Sequence, residues 1–261
     1  SLKSIRETKA LERVTTASLP ALKKYVEGMY VIEALDNRER GRDMLYEAVA
    51  IDSTFAMAWR RIAASYAGQG SGRAAQMTAI EKAYRYRDRL SENERLTTEA
   101  GYHSYGPNPD LDKTIAAYEA LLERDSVSSP ALNNGGLRYS MKGDFVRAEQ
   151  LLRRAIAIPE PFGGSFGNLA PAQIAQGKFA AAESTAAAYR VSLPSSTGHW
   201  QVDAYIATGR MDLAALDDVV TKTYSDPKAA TQRDFSSLIL GQLSTVRGKV
   251  RDGMRYVGES E

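Results

Sequence analysis

Apolar and small residues return along this chain with a period of 34. Leu132, Phe166 and Trp200 form one column, Gly136, Ala170 and Ala204 a second, Phe145, Phe179 and Leu213 a third, and Ala148, Ala182 and Leu216 a fourth. A fixed period of this size decides the fold before any single element does. Each period carries two helical stripes. Ser129-Pro130 supplies an N-cap and a proline at the first helical position, Leu132, Gly136 and Tyr139 follow at helical spacing, and Gly143-Asp144 ends the run. Phe145, Ala148, Leu152 and Ala155 make the second stripe, which Pro159 stops. Upstream, Trp59, Ile62, Ala63 and Tyr66 repeat the first-helix pattern with Ala79 and Ala83 on the second helix, and Tyr25, Gly28, Leu45 and Ala48 form an earlier, weaker unit.

The small residues explain why such units must stack. Gly136 or Ala148 lets a neighbouring helix come close while Tyr139 and Leu152 fill the space beside it, so one hairpin cannot bury both of its faces. Between the regular units lies an irregular one. Ser91 to Glu94 is a capping box, and Asn108-Pro109-Asp110 reads as a cap with a first-position proline ahead of the stripe Leu111, Ile115, Tyr118 and Leu122. Trp59 to Leu132 spans 73 residues against 68 for two regular periods, so this unit is about five residues longer. Asp226-Pro227 is expected to open a long last helix through about Val246, with Gly248 to Tyr256 beginning a partner that is cut off. The pattern predicts six to seven helical hairpins and no strand. Residues 1–20 lack a helical stripe and read as a linker or extended N-terminal segment; 21–261 read as one solenoid with a truncated last hairpin.

Bulky, small, aromatic, Gly-Asp-aromatic, small, aliphatic, small and then Pro over 34 residues resembles the tetratricopeptide (TPR) repeat. The unit Ser129 to Glu160 matches at nearly every position. The unit Gly163 to Pro194 keeps Phe166, Leu169, Ala170, Gly177, Phe179 and Ala182 but has Gln173 where an aromatic is usual, and the unit from about Thr197 to Thr223 keeps Trp200, Ala204 and Leu213 but is short. The resemblance covers about 230 residues and implies an all-α, right-handed superhelical α-solenoid. The run Val14 to Gly28 and the segment Arg87 to Glu92 also resemble the junctions of TPR arrays that follow serine/threonine kinase, adenylate-cyclase-like or winged-helix modules in bacterial signalling chains. That resemblance implies a catalytic module before Ser1, and a location in the bacterial cytoplasm, or outside it if the parent kinase is membrane-anchored.

Composition narrows the chemistry. With 43% apolar and 25% charged residues, the chain has the balance of one that buries a sizeable core, and its 34 basic against 32 acidic residues give a net charge of only +2, so no overall field draws it to nucleic acid. No apolar run approaches the roughly 18 to 20 residues that span a bilayer, so no membrane insertion by this chain is expected. Ser1-Leu2-Lys3 has neither an initiator Met nor a signal-type apolar core, as an excised piece would. Zero cysteines remove thiol nucleophiles and Cys-ligated metals, and two histidines, His103 and His199, leave little for a metal site or a triad. No metal and no cofactor are expected.

One catalytic pattern occurs. Gly163-Gly164-Ser165-Phe166-Gly167 matches the G-x-S-x-G nucleophile elbow, yet Ala155 to Pro161 is a helix end followed by prolines, Phe166 occupies the bulky repeat column, and no Asp lies between Ser165 and His199. The glycines are expected to bend a connection between hairpins, with a hydrolase at Ser165 as a remote alternative. Gly68-Gln69-Gly70-Ser71-Gly72 lacks the Lys-Ser or Lys-Thr of a phosphate cradle and reads as a turn. Tyr84-Arg85-Tyr86-Arg87-Asp88-Arg89 interleaves rings and cations of the kind that stack on single-stranded bases, but its place at a helix C-terminus gives the cations a dipole to complement.

In the resembled fold, the first helix of each hairpin lines a concave groove. That mapping implies Arg60, Arg61, His103, Asn133, Asn134, Leu137, Asn168, Gln201 and Tyr205 as binding residues, with no catalytic residue among them. Amides pair with a peptide backbone whatever its sequence, and an arginine clamps a carboxylate. The Lys and Asn pairing of carboxylate-clamp TPR domains is mostly missing, since Arg60 is followed by Ala64. Pro171, inside a helix, removes one backbone bond and is expected to free a carbonyl near Gly167 toward the groove. The expected function is a non-catalytic scaffold that binds a peptide or protein partner. The alternative is a self-association module that dimerises through the last hairpin, where Val250 and Met254 are left uncovered.

Overall fold

The computed structural model describes residues 16–35, 37–66, 72–227, 229 and 233–258, and among these it contains fourteen α-helices and no strand. The segment 1–15 and the run Gly68-Gln69-Gly70-Ser71 lie outside the described residues. The helices pair into seven antiparallel hairpins, distributed over two compact units, 1–131 and 132–261.

In the first unit, α1 (Leu19–Glu33) and α2 (Arg38–Ile51) form the first hairpin. Ser18 caps α1 by accepting the Ala21 N–H, and Pro20 sits in its first turn, where its missing donor is harmless. Gly28 and Gly41 let the two backbones touch: a Cβ on Gly28 would lie 2.8 Å from the Gly41 carbonyl oxygen. The second hairpin pairs α3 (Ala56–Ser65) with α4 (Arg73–Arg85), whose N-cap is Gly72. Trp59, Ile62 and Ala63 pack there against Ala79, Ile80 and Ala83. The third pairs α5 (Glu92–Tyr105) with α6 (Leu111–Arg124) after a short 3₁₀ turn over Arg87–Arg89. The Ser91–Glu94 capping box forms as the sequence predicts. The second cap differs. Asp110, not Asn108, closes the end of α6 by accepting the Lys113 N–H, so Pro109 precedes the helix instead of entering it.

The second unit starts inside α7 (Ser129–Lys142), at Leu132; there α7 pairs with α8 (Phe145–Ile156), α9 (Gly163–Ile174) with α10 (Phe179–Ser192), and α11 (His199–Gly209) with α12 (Leu213–Ser225). Three of the four repeat columns are buried, while Phe145 and Phe179 are half-buried and Leu213 is 49% exposed. Leu132, Phe166 and Trp200 are buried, as are Ala148, Ala182 and Leu216. Gly136 shows why its column is small, since a Cβ there would stand 2.6 Å from Leu152 Cγ. The turn inside each hairpin repeats as well: Gly143 (φ 85°) and Gly177 (φ 73°) end α7 and α9 in the left-handed region, and Met211, 34 residues further, is forced into it at φ 57°. The last hairpin joins α13 (Arg233–Val246) to α14 (Val250–Gly258). After Asp226-Pro227 the Asp226 carbonyl accepts the Ala229 N–H in a short turn, residues 228 and 230–232 lie outside the described ones, and the helix is described from Arg233.

A buried carboxylate ties consecutive hairpins together. Glu149 on α8 accepts from Lys178 Nζ at 2.7 Å, from Gln176 Nε2 at 3.0 Å and from Arg153 Nε at 2.9 Å. Burial opposes its ionisation, but these donors outweigh it and hold the carboxyl at a pKa of about 2.

Candidate functional site

The first helices α7, α9 and α11 lie side by side. α9 packs against α11, and α7 is joined to α9 through one asparagine. Asn133 Oδ1 accepts from Ser165 Oγ at 3.0 Å and from Asn168 Nδ2 at 3.1 Å, while its own Nδ2 donates to Asn134 Oδ1 at 3.0 Å. Asn133 is only 7% exposed, so it faces a neighbouring helix and not solvent. Ser165 is buried with it, while Asn134 and Asn168 are half-buried. Asn133 therefore fixes the side chains of Asn134 and Asn168 in place, which is how a polar contact surface is preorganised.

On α11, Gln201 continues this face. Its Oε1 is the one group within 4 Å of where a Cβ on Gly167 would stand, at 3.9 Å. Tyr205 follows one turn later and is 46% exposed. Leu137 is half-buried one turn after Asn133. Between the amides, α9 presents Gly164, Gly167 and Pro171 one turn apart. The helix runs unbroken through Pro171 to Ile174, and because proline has no N–H the Gly167 carbonyl loses its intrahelical donor.

Of the nine binding residues expected from the sequence, Asn133, Asn134 and Asn168 meet in one network, with Gln201, Tyr205 and Leu137 on the same three helices. Arg60, Arg61 and His103 belong to the other unit. Arg60 and Arg61 stand on α3, each with a buried Nε that finds no hydrogen-bond partner. His103, in the last turn of α5, is edge-on to the stacked rings of Tyr84 and Tyr102. Burial, and then the charge of Lys113, push its pKa down, so the ring is neutral near pH 7. Its carbonyl accepts the Asp110 N–H at 2.8 Å, which gives the residue a place in the α5–α6 turn.

Ser165 was the participant that repeat mapping passed over. Only its separation from Asn133, 32 residues and so nearly one period, connects the two in the sequence. The G-x-S-x-G run is the opening of α9, and Ser165 is fully buried with its hydroxyl donated to Asn133. A nucleophile elbow needs an exposed Oγ on a strand-to-helix turn, and this segment is neither. The ring of His199 makes a hydrogen bond from Nε2 to the Leu193 carbonyl at 2.9 Å and meets Tyr189 edge-on. The cationic run at Tyr84 to Arg89 is also engaged internally: Arg87 lies 4.0 Å over the Tyr84 ring, and Arg89 pairs with Thr54. Among the described residues no group of three His, Asp or Glu side chains is placed to hold a metal, and no helix is long and apolar enough to cross a membrane.

No family model matches the chain, and no curated protein does. Solved structures do match. A tetratricopeptide repeat protein from Parabacteroides merdae superposes with a TM-score of 0.60 at 13% identity, over 91% of this chain and 92% of that one. PilW, described as a widely conserved type IV pilus biogenesis factor, gives 0.59 at 17% identity, over 82% of this chain and 98% of its own. The Cut9–Hcn1 hetero-tetramer of the APC/C gives 0.59 at 14% identity, over 83% of this chain and 42% of the matched one. With seven helical hairpins among its described residues and its 34-residue packing columns, the chain has the fold of the tetratricopeptide-repeat proteins.

Proposed function

We propose that this chain is a non-catalytic scaffold that holds an extended peptide, or an extended segment of a protein partner, on the first-helix face of α7, α9 and α11. The observation that carries the reading is the amide row: Asn134, Asn168 and Gln201 recur at about one repeat apart, and the first two are held by a buried hub. Amide side chains offer a donor and an acceptor each, the complement of a polypeptide backbone. Gly167 removes side-chain bulk beside Gln201, so a guest backbone can approach α9 closely there. The fold shared with repeat proteins supports a binding role, and a signalling context is proposed from the junction-like residues beside α1. A random-peptide display selection against the chain tests this. Selected peptides should lose at least tenfold in affinity on the joint substitution Gln201→Ala and Tyr205→Ala, two exposed positions, with helix content unchanged. Equal affinity in the double variant would sink the reading.

A second reading, self-association, has an observation of its own. A largely apolar groove of about 570 Å³ lies on the last hairpin between Gly241, Val246, Met254 and Val257. Elsewhere in this unit the next hairpin's first helix covers such a face, as α13 does against α12. A second copy would fill it in the same way. Sedimentation across a hundredfold concentration range should then show dimers that Met254→Glu abolishes; a monomer throughout refutes it.

A further inference from the structure

The last hairpin repeats the packing of the regular ones. A Cβ on Gly241 would stand 2.8 Å from Val257 Cγ2, as one on Gly136 would stand 2.6 Å from Leu152 Cγ, and in both hairpins the two residues are sixteen apart. This puts Val257 in register with Leu152, Gly253 with Ala148 and Met254 with Glu149. In the regular hairpin those three positions receive the next first helix. Ala148 and Leu152 are fully buried in one cluster with Leu169 and Ala172 of α9, and Glu149 accepts from Gln176 and Lys178 just past the end of that helix. First helices α11 and α13 pack likewise on α10 and α12. On the last hairpin, Gly253, Met254 and Val257 instead line the open groove, and Met254 is 72% exposed. The groove is thus shaped for a first helix.

α1 is a first helix whose matching face is uncovered. A Cβ on Gly28 would meet Leu45 Cδ2 at 3.3 Å, the same crossing again, so Gly28 belongs to the column of Gly136 and Ala170. Counted from that column, Tyr30 stands where α9 has Ala172, the residue it turns toward α8. Tyr30 is 61% exposed, and Val26 and Leu19, one and three turns earlier on the same side, are 56% and 76% exposed. Glu27 takes the place of Leu169 and has Lys23 as an ion-pair partner 4.0 Å away. Ala34 takes the place of Gln176, the partner of Glu149. Where the internal junction sets an amide on an acid, the two ends thus offer alanine and methionine, and both sides have changed together. Terminal repeats that stay in water carry polar outer faces. Here both outer faces carry exposed apolar side chains at the positions that pack inside the array.

We propose that the groove of the last hairpin takes α1 of a second copy, so that copies join head to tail. This rests on the self-association reading and names the surface of the second copy that the groove takes. The contact joins unlike surfaces, so a pair keeps one of each kind free, and further copies add there or close a ring.

Sedimentation of the full chain across a hundredfold concentration range, with two variants alone and mixed, tests it. Tyr30→Glu and Met254→Glu each put a charge into one of the two surfaces at an exposed position, and circular dichroism should show native helix content in both. Each alone should associate at least tenfold more weakly than the native chain. Mixed in equal amounts, they should recover native affinity in a pair of one each that grows no further, because only one intact groove and one intact α1 face remain to meet. Tyr30→Lys and Met254→Lys, with the opposite charge, should behave alike. Val191→Glu, at an apolar position 82% exposed on α10, should associate as the native chain does. Undiminished association of the Tyr30 variants, or a mixture that stays monomeric, would overturn the head-to-tail contact. If the Met254 variants alone are then monomeric, this inference fails by itself and self-association through the last hairpin stands. A native chain that is monomeric throughout refutes both.

Discussion

Replacing Glu149 by glutamine removes one negative charge from the junction of α8 with α9 and α10 while keeping the side chain's shape. The carboxylate is 7% exposed and accepts from Lys178, Gln176 and Arg153, all at 3.0 Å or less. Its pKa stands at about 2 against the ordinary 4.5. A gap of that size corresponds to about 3 kcal/mol favouring the charged form in the folded chain. Lys178 and Arg153 have side chains about half exposed, at 48% and 54%, and water screens their share, so a loss of about 2 to 3 kcal/mol is expected for Glu149→Gln at pH 7. Because the folded-state pKa is depressed, this stabilisation is complete above about pH 4.5 and disappears as the pH falls toward about 2. Native-state hydrogen exchange of α8, α9 and α10 amides reads it locally, which suits a stack in which each hairpin touches mainly its neighbours. Exchange there should accelerate by about thirtyfold or more in the variant at pH 7, and pH 3 should narrow the difference between the two chains. Equal protection at pH 7, or a difference that does not change with pH, would refute the reasoning.

Met211→Gly should stabilise the chain by about 1 kcal/mol, because glycine relieves the left-handed backbone at φ 57° and the methionine side chain, 85% exposed, contributes little packing; a melting temperature that does not rise contradicts this. Gly136→Leu should destabilise by about 1 to 3 kcal/mol, since even a Cβ would meet Leu152 at 2.6 Å, and urea unfolding at constant m-value measures it. Gln173 is fully buried with an unpaired Nε2, while its Oε1 accepts from Thr185 at 2.9 Å. The double substitution Gln173→Met and Thr185→Val removes both partners and should be neutral or stabilising by about 1 kcal/mol, whereas Thr185→Val alone should be destabilising.

Gln173 also shows what was legible in the sequence and what was not. The columns at Leu132, Phe166 and Trp200 and at Gly136, Ala170 and Ala204 gave the hairpins and their order, because burial of bulky against small side chains is periodic and needs no knowledge of distant partners. Gln173 broke the aromatic column visibly, but nothing nearby in sequence pointed to Thr185 as its partner. Asn133 and Asn134 were read as equivalent groove residues. Consecutive residues on a helix point about 100° apart, and that rotation buries Asn133 against Ser165 while its neighbour stays half-buried.

The central claim, that the first-helix amides of the second unit hold a polypeptide backbone, is tested most directly by ¹H–¹⁵N spectra recorded while a selected peptide is added. The side-chain amide resonances of Asn134, Asn168 and Gln201 should shift together and saturate with one affinity, while backbone resonances of α8, α10 and α12 move little. Shifts confined to those second helices, with the three amides unmoved, would contradict the account.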